Sequence, residues 1–408
     1  MRIGIVADDL TGAADAVAPF ARIGFSAAVS LAIRRGLVDG KVDALALNAA
    51  TRDSIRPQLG GIKIRRATRR LLECGAEIIY KKIDSTLRGF LRQELDAMQK
   101  ELPGRLVVIC PAFPANGRTV EQGVMFAHGR PHGSVRAAFE YAQNEMATEL
   151  PLETLRQGAD YLTEALGHLT AAGKCVLFCD ASEQGDLEIL AEVILRQPER
   201  VLSVGSAGLS TALAAQMLPE TQTHKDTWSA APFTAGNVLV VVGSRHAASR
   251  RQAEVLARKS GCPPLILDNQ MTRGEYWKYT EKVAAQLLSQ WEAGHRVALM
   301  MAPESERTAT VARDLGAFFI WCLMERSKHN IKPPFASLII VGGETAGEIF
   351  NGMNAKQIRI AGETQPGVVM GHLHSHNVGS RLFDGLRVIT KSGGFGDDET
   401  LARCVGLA

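Results

Sequence analysis

The sequence lacks a charge bias: its 408 residues carry 46 Lys and Arg against 43 Asp and Glu, a net charge of +3. Nothing in that balance favours a polyanion, so a nucleic-acid partner is not expected. Also missing is an apolar run long enough to cross a bilayer, and an N-terminus with one Arg and two aspartates by position 9 is not built like a signal peptide. No membrane partner is expected, and the cytoplasm is the expected location. Cysteine is present without pattern. The seven at 74, 110, 175, 179, 262, 322 and 404 lie mostly in apolar runs such as CVLFC, with no zinc or redox spacing. They are expected to be reduced, buried thiols. The halves share no repeat, and no tract is of low complexity.

What is present is a regular alternation of apolar runs and helical spacing. Arg2–Val6, Val42–Leu47, Ala76–Tyr80, Leu106–Cys110, Lys174–Phe178 and Val201–Val204 read as strands of a first domain. Val238–Val242, Leu265–Leu267, Val297–Met301, Leu338–Val341 and Val388–Thr390 read as strands of a second. Few hairpin signals interrupt them, which predicts α/β architecture with two doubly wound parallel-sheet domains. The aperiodic stretch PETQTHKDTWSAAPFTAG separates the two. The expected boundaries are 1–222, a linker at 223–236 that could act as a hinge, and 237–408. Two local features are also expected: a kink or a restart at Pro19 in the first helix, and a helix from Thr86 to about Leu102 whose face is Leu87, Phe90, Leu91, Leu95 and Met98.

Polar residues gather where the first-domain strands end: Asp8-Asp9, then Thr51-Arg52, then Lys82-Asp84-Ser85. Parallel strands bring such ends to one edge, where ligands bind in open α/β sheets. Arg and Lys suit a carboxylate or phosphate, while Asp and Ser suit the hydroxyls of a polyol, so the set describes a pocket for a small hydroxy acid. The plainer alternatives are that Asp8 and Asp9 only cap a helix, and that Arg52 and Lys82 only pair with Asp9 and Asp84.

In the second domain the same edge carries glycine: Gly243-Ser244, then Gly342-Gly343-Glu344-Thr345, then Ser392-Gly393-Gly394-Phe395-Gly396-Asp397. Glycine lets backbone N–H groups approach phosphate oxygens, and three such loops on one edge favour a nucleotide-phosphate site over three ordinary turns. Neither GxxxxGK[ST] nor GxGxxG with its downstream acid occurs. The group His372, His374 and His376 could hold a divalent metal on one face of an extended segment, or be a solvated loop. His128 and His132 are equally open, and no metal ligands are assigned.

The strings IVADDLTGAADA, Thr51-Arg52, KKIDSTLRG, VGSAGLSTALAA, VVGSRHAASRRQ, VGGETAG and TKSGGFGDDETL resemble, in order, the motifs of the four-carbon acid sugar kinase family. The resemblance implies an N-terminal substrate domain, a C-terminal nucleotide domain and an active-site cleft between them. It implies that Asp9, Arg52, Lys82, Ile83, Asp84 and Ser85 contact the acid sugar. Ser244, Gly342, Gly343, Glu344, Thr345 and Gly394 are likewise implied to contact ATP, with Mg2+ as the second cofactor. The expected reaction is in-line transfer of the γ-phosphoryl group to a terminal hydroxyl, with D-threonate ahead of D-erythronate and a 3-oxo-tetronate. Asp9 and Asp84 are the candidate catalytic carboxylates, Asp397 the third. A departure between Met125 and Leu155 reads as a more helical insert. Two rivals stand beside the kinase. A haloacid-dehalogenase-type phosphohydrolase wants Asp-x-Asp, which Asp8-Asp9-Leu10-Thr11 lacks. A sugar-acid-binding sensor leaves the glycine loops unexplained. A homodimer is the base-rate expectation for assembly.

Overall fold

A computed structural model of the chain describes residues 1–33, 42–52, 57–141, 146–171, 175–217, 233, 235–267, 276–302, 334–374 and 383–407. Two compact units divide the chain, Met1–Lys225 and Asp226–Ala408. Most of the expected linker, 223–236, lies outside the described residues.

In the first unit the short apolar runs become strands β1 (Ile3–Ala7), β2 (Ala27–Ser30), β3 (Ala44–Asn48), β4 (Ile78–Lys82) and β5 (Leu106–Cys110). Strands β6 (Arg118–Glu121), β7 (Val124–Ala127) and β8 (Arg130–Ser134) form a separate antiparallel sheet. The chain then returns through β9 (Ala147–Leu150), β10 (Val176–Cys179) and β11 (Val201–Gly205). The main sheet runs β2-β3-β1-β4-β11-β5-β10-β9, with every pair parallel. Helices cover both its faces, which is why β1, β4, β5 and β11 are buried along their whole length and read as unbroken apolar runs. The helices are α1 (Leu10–Arg22), α2 (Pro57–Glu73), α3 (Leu91–Gln99), α4 (Val135–Ala138), α5 (Leu152–Leu155), α6 (Ala159–Ala171), α7 (Gln184–Arg196) and α8 (Ala207–Gln216).

The order of the strands creates the site. From β1 the chain moves to one side, through α1 to β2, and later crosses from β3 through α2 to β4 on the other side. Right-handed crossovers in opposite directions put α1 and α2 on opposite faces. The chain therefore parts at the end of β1, where ligands bind in such sheets.

The second unit repeats that permutation. Strands β12 (Val238–Val242), β13 (Leu265–Ile266), β14 (Val297–Met301), β15 (Ser337–Val341), β16 (Gln357–Gln365), β17 (Val368–His374) and β18 (Arg387–Lys391) are ordered β13-β14-β12-β15-β18-β17-β16. The first five in that order are parallel, and β17 and β16 close the row antiparallel. Its helices are α9 (Ala247–Ser260), α10 (Tyr276–Glu292), α11 (Gly343–Gly352) and α12 (Thr400–Cys404). Val240, Val242, Ile339, Val341 and Ile389 from the strands pack with Ala253 and Leu256 of α9 and with Leu401 and Cys404 of α12.

Several sequence expectations are corrected. Helix α1 continues through Pro19 without a restart, because every residue from Leu10 to Ala21 is buried and packing offsets the lost N–H bond. The helix expected from Thr86 begins only at Leu91. Leu87 at φ 63° and Gly89 at φ 105° turn the chain out of helical geometry first. Among the described residues the segment from Met125 to Leu155, read as helical, is mainly β7, β8 and β9 with the short turns of α4 and α5. Six cysteines are free among the described residues, and Cys322 lies outside them.

Candidate functional site

The strand pairing sets the N-terminal edge in register. Ala7 stands opposite Asn48 of β3 and Lys82 of β4, so the residues after all three strands emerge together. Asp9 caps α1, accepting the Gly12 N–H at 2.8 Å and the Thr11 hydroxyl at 3.0 Å. Arg52 then ties the edge together. Its Nε and Nη2 each donate to Asp8 at 2.8 Å, its Nη1 donates to Asp9 at 2.6 Å, and Asp84 lies 3.8 Å away. Gly12 permits this crowding: a Cβ there would overlap Asp9 Oδ1 and stand 3.1 Å from Lys82 Nζ.

The loop after β4 wraps round Asp84. Its carboxylate accepts from the Thr86 hydroxyl, from Arg88 Nε at 2.8 Å and from Arg88 Nη2 at 3.1 Å. Burial alone would push the Asp84 carboxyl up. The Arg88 hydrogen bond and the charges of Arg52 and Arg88 outweigh it and hold the group well below the ordinary carboxylate range. Asp8 is held low by the same balance, its burial opposed by Arg52, Lys81 and Lys82. Asp8 is thus a buried brace for Arg52, while Asp9 and Arg52 retain partial exposure.

Lys81 and Lys82 diverge. Lys81 pairs inward with Glu94 of α3 at 2.7 Å, with both side chains almost wholly buried. Lys82 is buried too, yet among the described residues its ammonium makes one hydrogen bond, to the Ile83 carbonyl at 2.9 Å. An ammonium has three donors, so two are left for a ligand. Ile83 serves through its backbone and Ser85 is buried beside it. Two contributors come from the antiparallel sheet. His132 Nε2 stands 3.1 Å from the Thr86 carbonyl, and Arg118 lies close enough to Asp84 and Asp15 for their charges to bear on it.

The C-terminal edge is built the same way. Val242, Val341 and Lys391 stand in one row across β12, β15 and β18, so the three glycine loops leave neighbouring strands together. Gly342, at φ 114°, caps α11, and a Cβ on it would sit 3.3 Å from the Ser244 N–H nitrogen and 3.5 Å from Thr345 Oγ1. A Cβ on Gly393 would overlap Ser244 Oγ, and one on Gly394 would come within 3.3 Å of His246 Nε2. Ser244, Gly342, Thr345 and Gly394 are therefore brought together in one cradle, with Gly343 and Glu344 in the first turn of α11. Asp397, the third candidate carboxylate, is exposed and bonded to Arg403 Nη2 at 2.5 Å.

The chain matches the sugar-binding N-terminal domain model over residues 3–213 and the nucleotide-binding C-terminal domain model over 239–401. It is 31% identical to a D-threonate kinase of Bordetella bronchiseptica over 98% of this chain and 96% of that one. The chain belongs to the four-carbon acid sugar kinase family. A D-erythronate kinase of Heliobacterium modesticaldum, 27% identical, covers 98% of this chain and 95% of its own. Among solved structures, the Haemophilus influenzae protein HI1011 superposes with a TM-score of 0.72 at 21% identity, covering 99% of each chain, and so shares the fold.

Membership of the family implies ATP as the phosphoryl donor. For Mg2+, the described residues include no cluster of three or more His, Cys, Asp or Glu able to cage a metal. A magnesium ion carried on phosphates needs only one or two protein carboxylates, and one acidic residue, Glu344, stands in the first turn of α11. Of the histidine group, His372 and His374 lie on β17, His374 Nδ1 faces Asp384 at 3.1 Å, and His376 lies outside the described residues. No described helix is long and apolar enough to cross a membrane.

Proposed function

We propose that this chain transfers the γ-phosphoryl group of ATP to the C4 hydroxyl of a four-carbon sugar acid, D-threonate first, with D-erythronate or a 3-oxo-tetronate as the alternatives. Membership of the family makes it an ATP-dependent sugar-acid kinase. The acid is assigned to an N-terminal domain of residues 1–222 and the nucleotide to residues 237–408. The observation that carries the acid assignment is Lys82, a buried ammonium with donors to spare beside Asp8, Asp9 and Asp84, whose three charges Arg52, Arg88 and Lys82 together balance. A substrate carboxylate meets the spare ammonium donors there, while its hydroxyls find acceptors in Asp9 and Asp84 and a donor in Ser85.

Phosphoryl transfer needs positioning and charge neutralisation more than a strong base. Bound Mg2+ supplies part of that neutralisation on the phosphates. Asp84, held far below the ordinary range and bonded to Arg88, suits orientation of the hydroxyl rather than storage of its proton. Asp9, partly exposed and held by Thr11, Gly12 and Arg52, is the candidate acceptor of the proton. Phosphorus NMR of the product formed from D-threonate and Mg-ATP tests the reading: coupling of phosphorus to the C4 protons supports it, and a phosphate on C2 or C3 refutes the orientation.

A further inference from the structure

The loop after β18 is inverted by buried side chains. Lys391 Nζ donates to the Ser392 carbonyl at 2.9 Å, Ser249 Oγ to the Gly393 carbonyl at 2.7 Å, and Gln252 Nε2 to the carbonyls of Phe395 at 3.0 Å and Asp397 at 2.8 Å. Lys391, Ser249 and Gln252 are each 0% exposed. All described peptide bonds are trans, so each carbonyl points opposite to the N–H of the next residue. The amides across from the first three of these carbonyls belong to Gly393, Gly394 and Gly396. None of those N–H groups meets an acceptor among the described residues.

We propose that Ser249, Gln252 and Lys391 are positioning residues for the nucleotide: by holding the loop's carbonyls inward they present three amide donors to phosphate oxygens. The proposal rests on reading the C-terminal domain as the ATP site. It accounts for a motif that the strand ends alone leave unexplained, because the Ser and Gln of VVGSRHAASRRQ lie on α9, behind the loop rather than on it. Carbonyls on a surface loop can bond to water. Here an ammonium is buried to hold one of them, and burial pushes that ammonium down to about 8.

The test uses the full chain and calorimetric titration with Mg-ATP, adenosine and D-threonate, alongside thermal melts. Ser249→Ala and Gln252→Leu are expected to weaken Mg-ATP about tenfold or more, the value of one charge-assisted contact. Adenosine and D-threonate affinities should stay within about twofold, and Ser249→Thr, which keeps the hydroxyl, should bind Mg-ATP like the unaltered chain. Unchanged Mg-ATP affinity in both variants would overturn the proposal while leaving the ATP reading intact. Equal losses for all three ligands, with a lowered melting temperature, would reduce these residues to a structural role and overturn it as well. Failure of the unaltered chain to bind Mg-ATP would instead remove the ATP reading, and the proposal with it.

Discussion

Gly12→Ala separates local propensity from the site geometry by the sign of its effect. Gly12 lies in the first turn of α1, where alanine is the better helix former by about 1 kcal/mol, so propensity alone predicts a more stable protein. The structure predicts the reverse. An added Cβ would overlap Asp9 Oδ1, the atom that accepts the Gly12 N–H, so Asp9 must rotate away. The helix then loses its cap, worth about 1 kcal/mol. Asp9 also gives up its 2.6 Å bond from Arg52, a charge-assisted contact worth about 2 kcal/mol. The balance is a net loss of about 2 kcal/mol, or roughly 4–8 °C in melting temperature for a domain of this size. Lys82 Nζ, 3.1 Å from the same Cβ, is displaced too, so the KM for the sugar acid should rise at least about tenfold while Mg-ATP affinity holds. Differential scanning calorimetry and steady-state kinetics read both effects. A melting temperature that rises, with an unchanged acid KM, would refute the reasoning.

Three further outcomes follow from the same structure. Asp9→Asn should lower kcat by about a hundredfold or more if Asp9 takes the proton, and full turnover would rule out that role. Lys81→Met strands the Glu94 carboxylate in the interior and should cost about 3–5 kcal/mol, most of it recovered in the Lys81→Met/Glu94→Leu double variant; chemical denaturation of the three proteins checks this. Lys391 sets a pH dependence: its folded value of about 8 lies below its ordinary 10.5, so between these values the unfolded chain holds more protons. Stability should therefore rise with pH across that window while Mg-ATP affinity falls, and Lys391→Met should flatten both trends in paired melts and titrations.

The sequence made the strand ends legible because fully buried parallel strands have to be unbroken apolar runs, and the polar residues after Ala7 and Lys82 can only lie on the sheet edge. Glycine was legible for the same reason in the second unit. Partners from elsewhere in the chain were not. Nothing local to Asp84 reveals that Arg88 curls back onto it, since Leu87 and Phe90 continue a helical spacing that positive φ at Leu87 breaks. Glu94 looks like an ordinary helix carboxylate until α3 packs behind β4 and brings it to Lys81. The antiparallel strands β6 to β8 are four or five residues long and carry too little alternation to be told from a short helix, so the sequence does not show that the His132 ring lies against Thr86.

The most direct test of the central claim is ADP release from Mg-ATP against a panel of both threonates, both erythronates and the 3-oxo acids. Turnover should depend on one four-carbon acid and be abolished by Lys82→Met with Mg-ATP binding retained. Silence across the whole panel from protein that binds Mg-ATP, or turnover untouched by Lys82→Met, would contradict the claim.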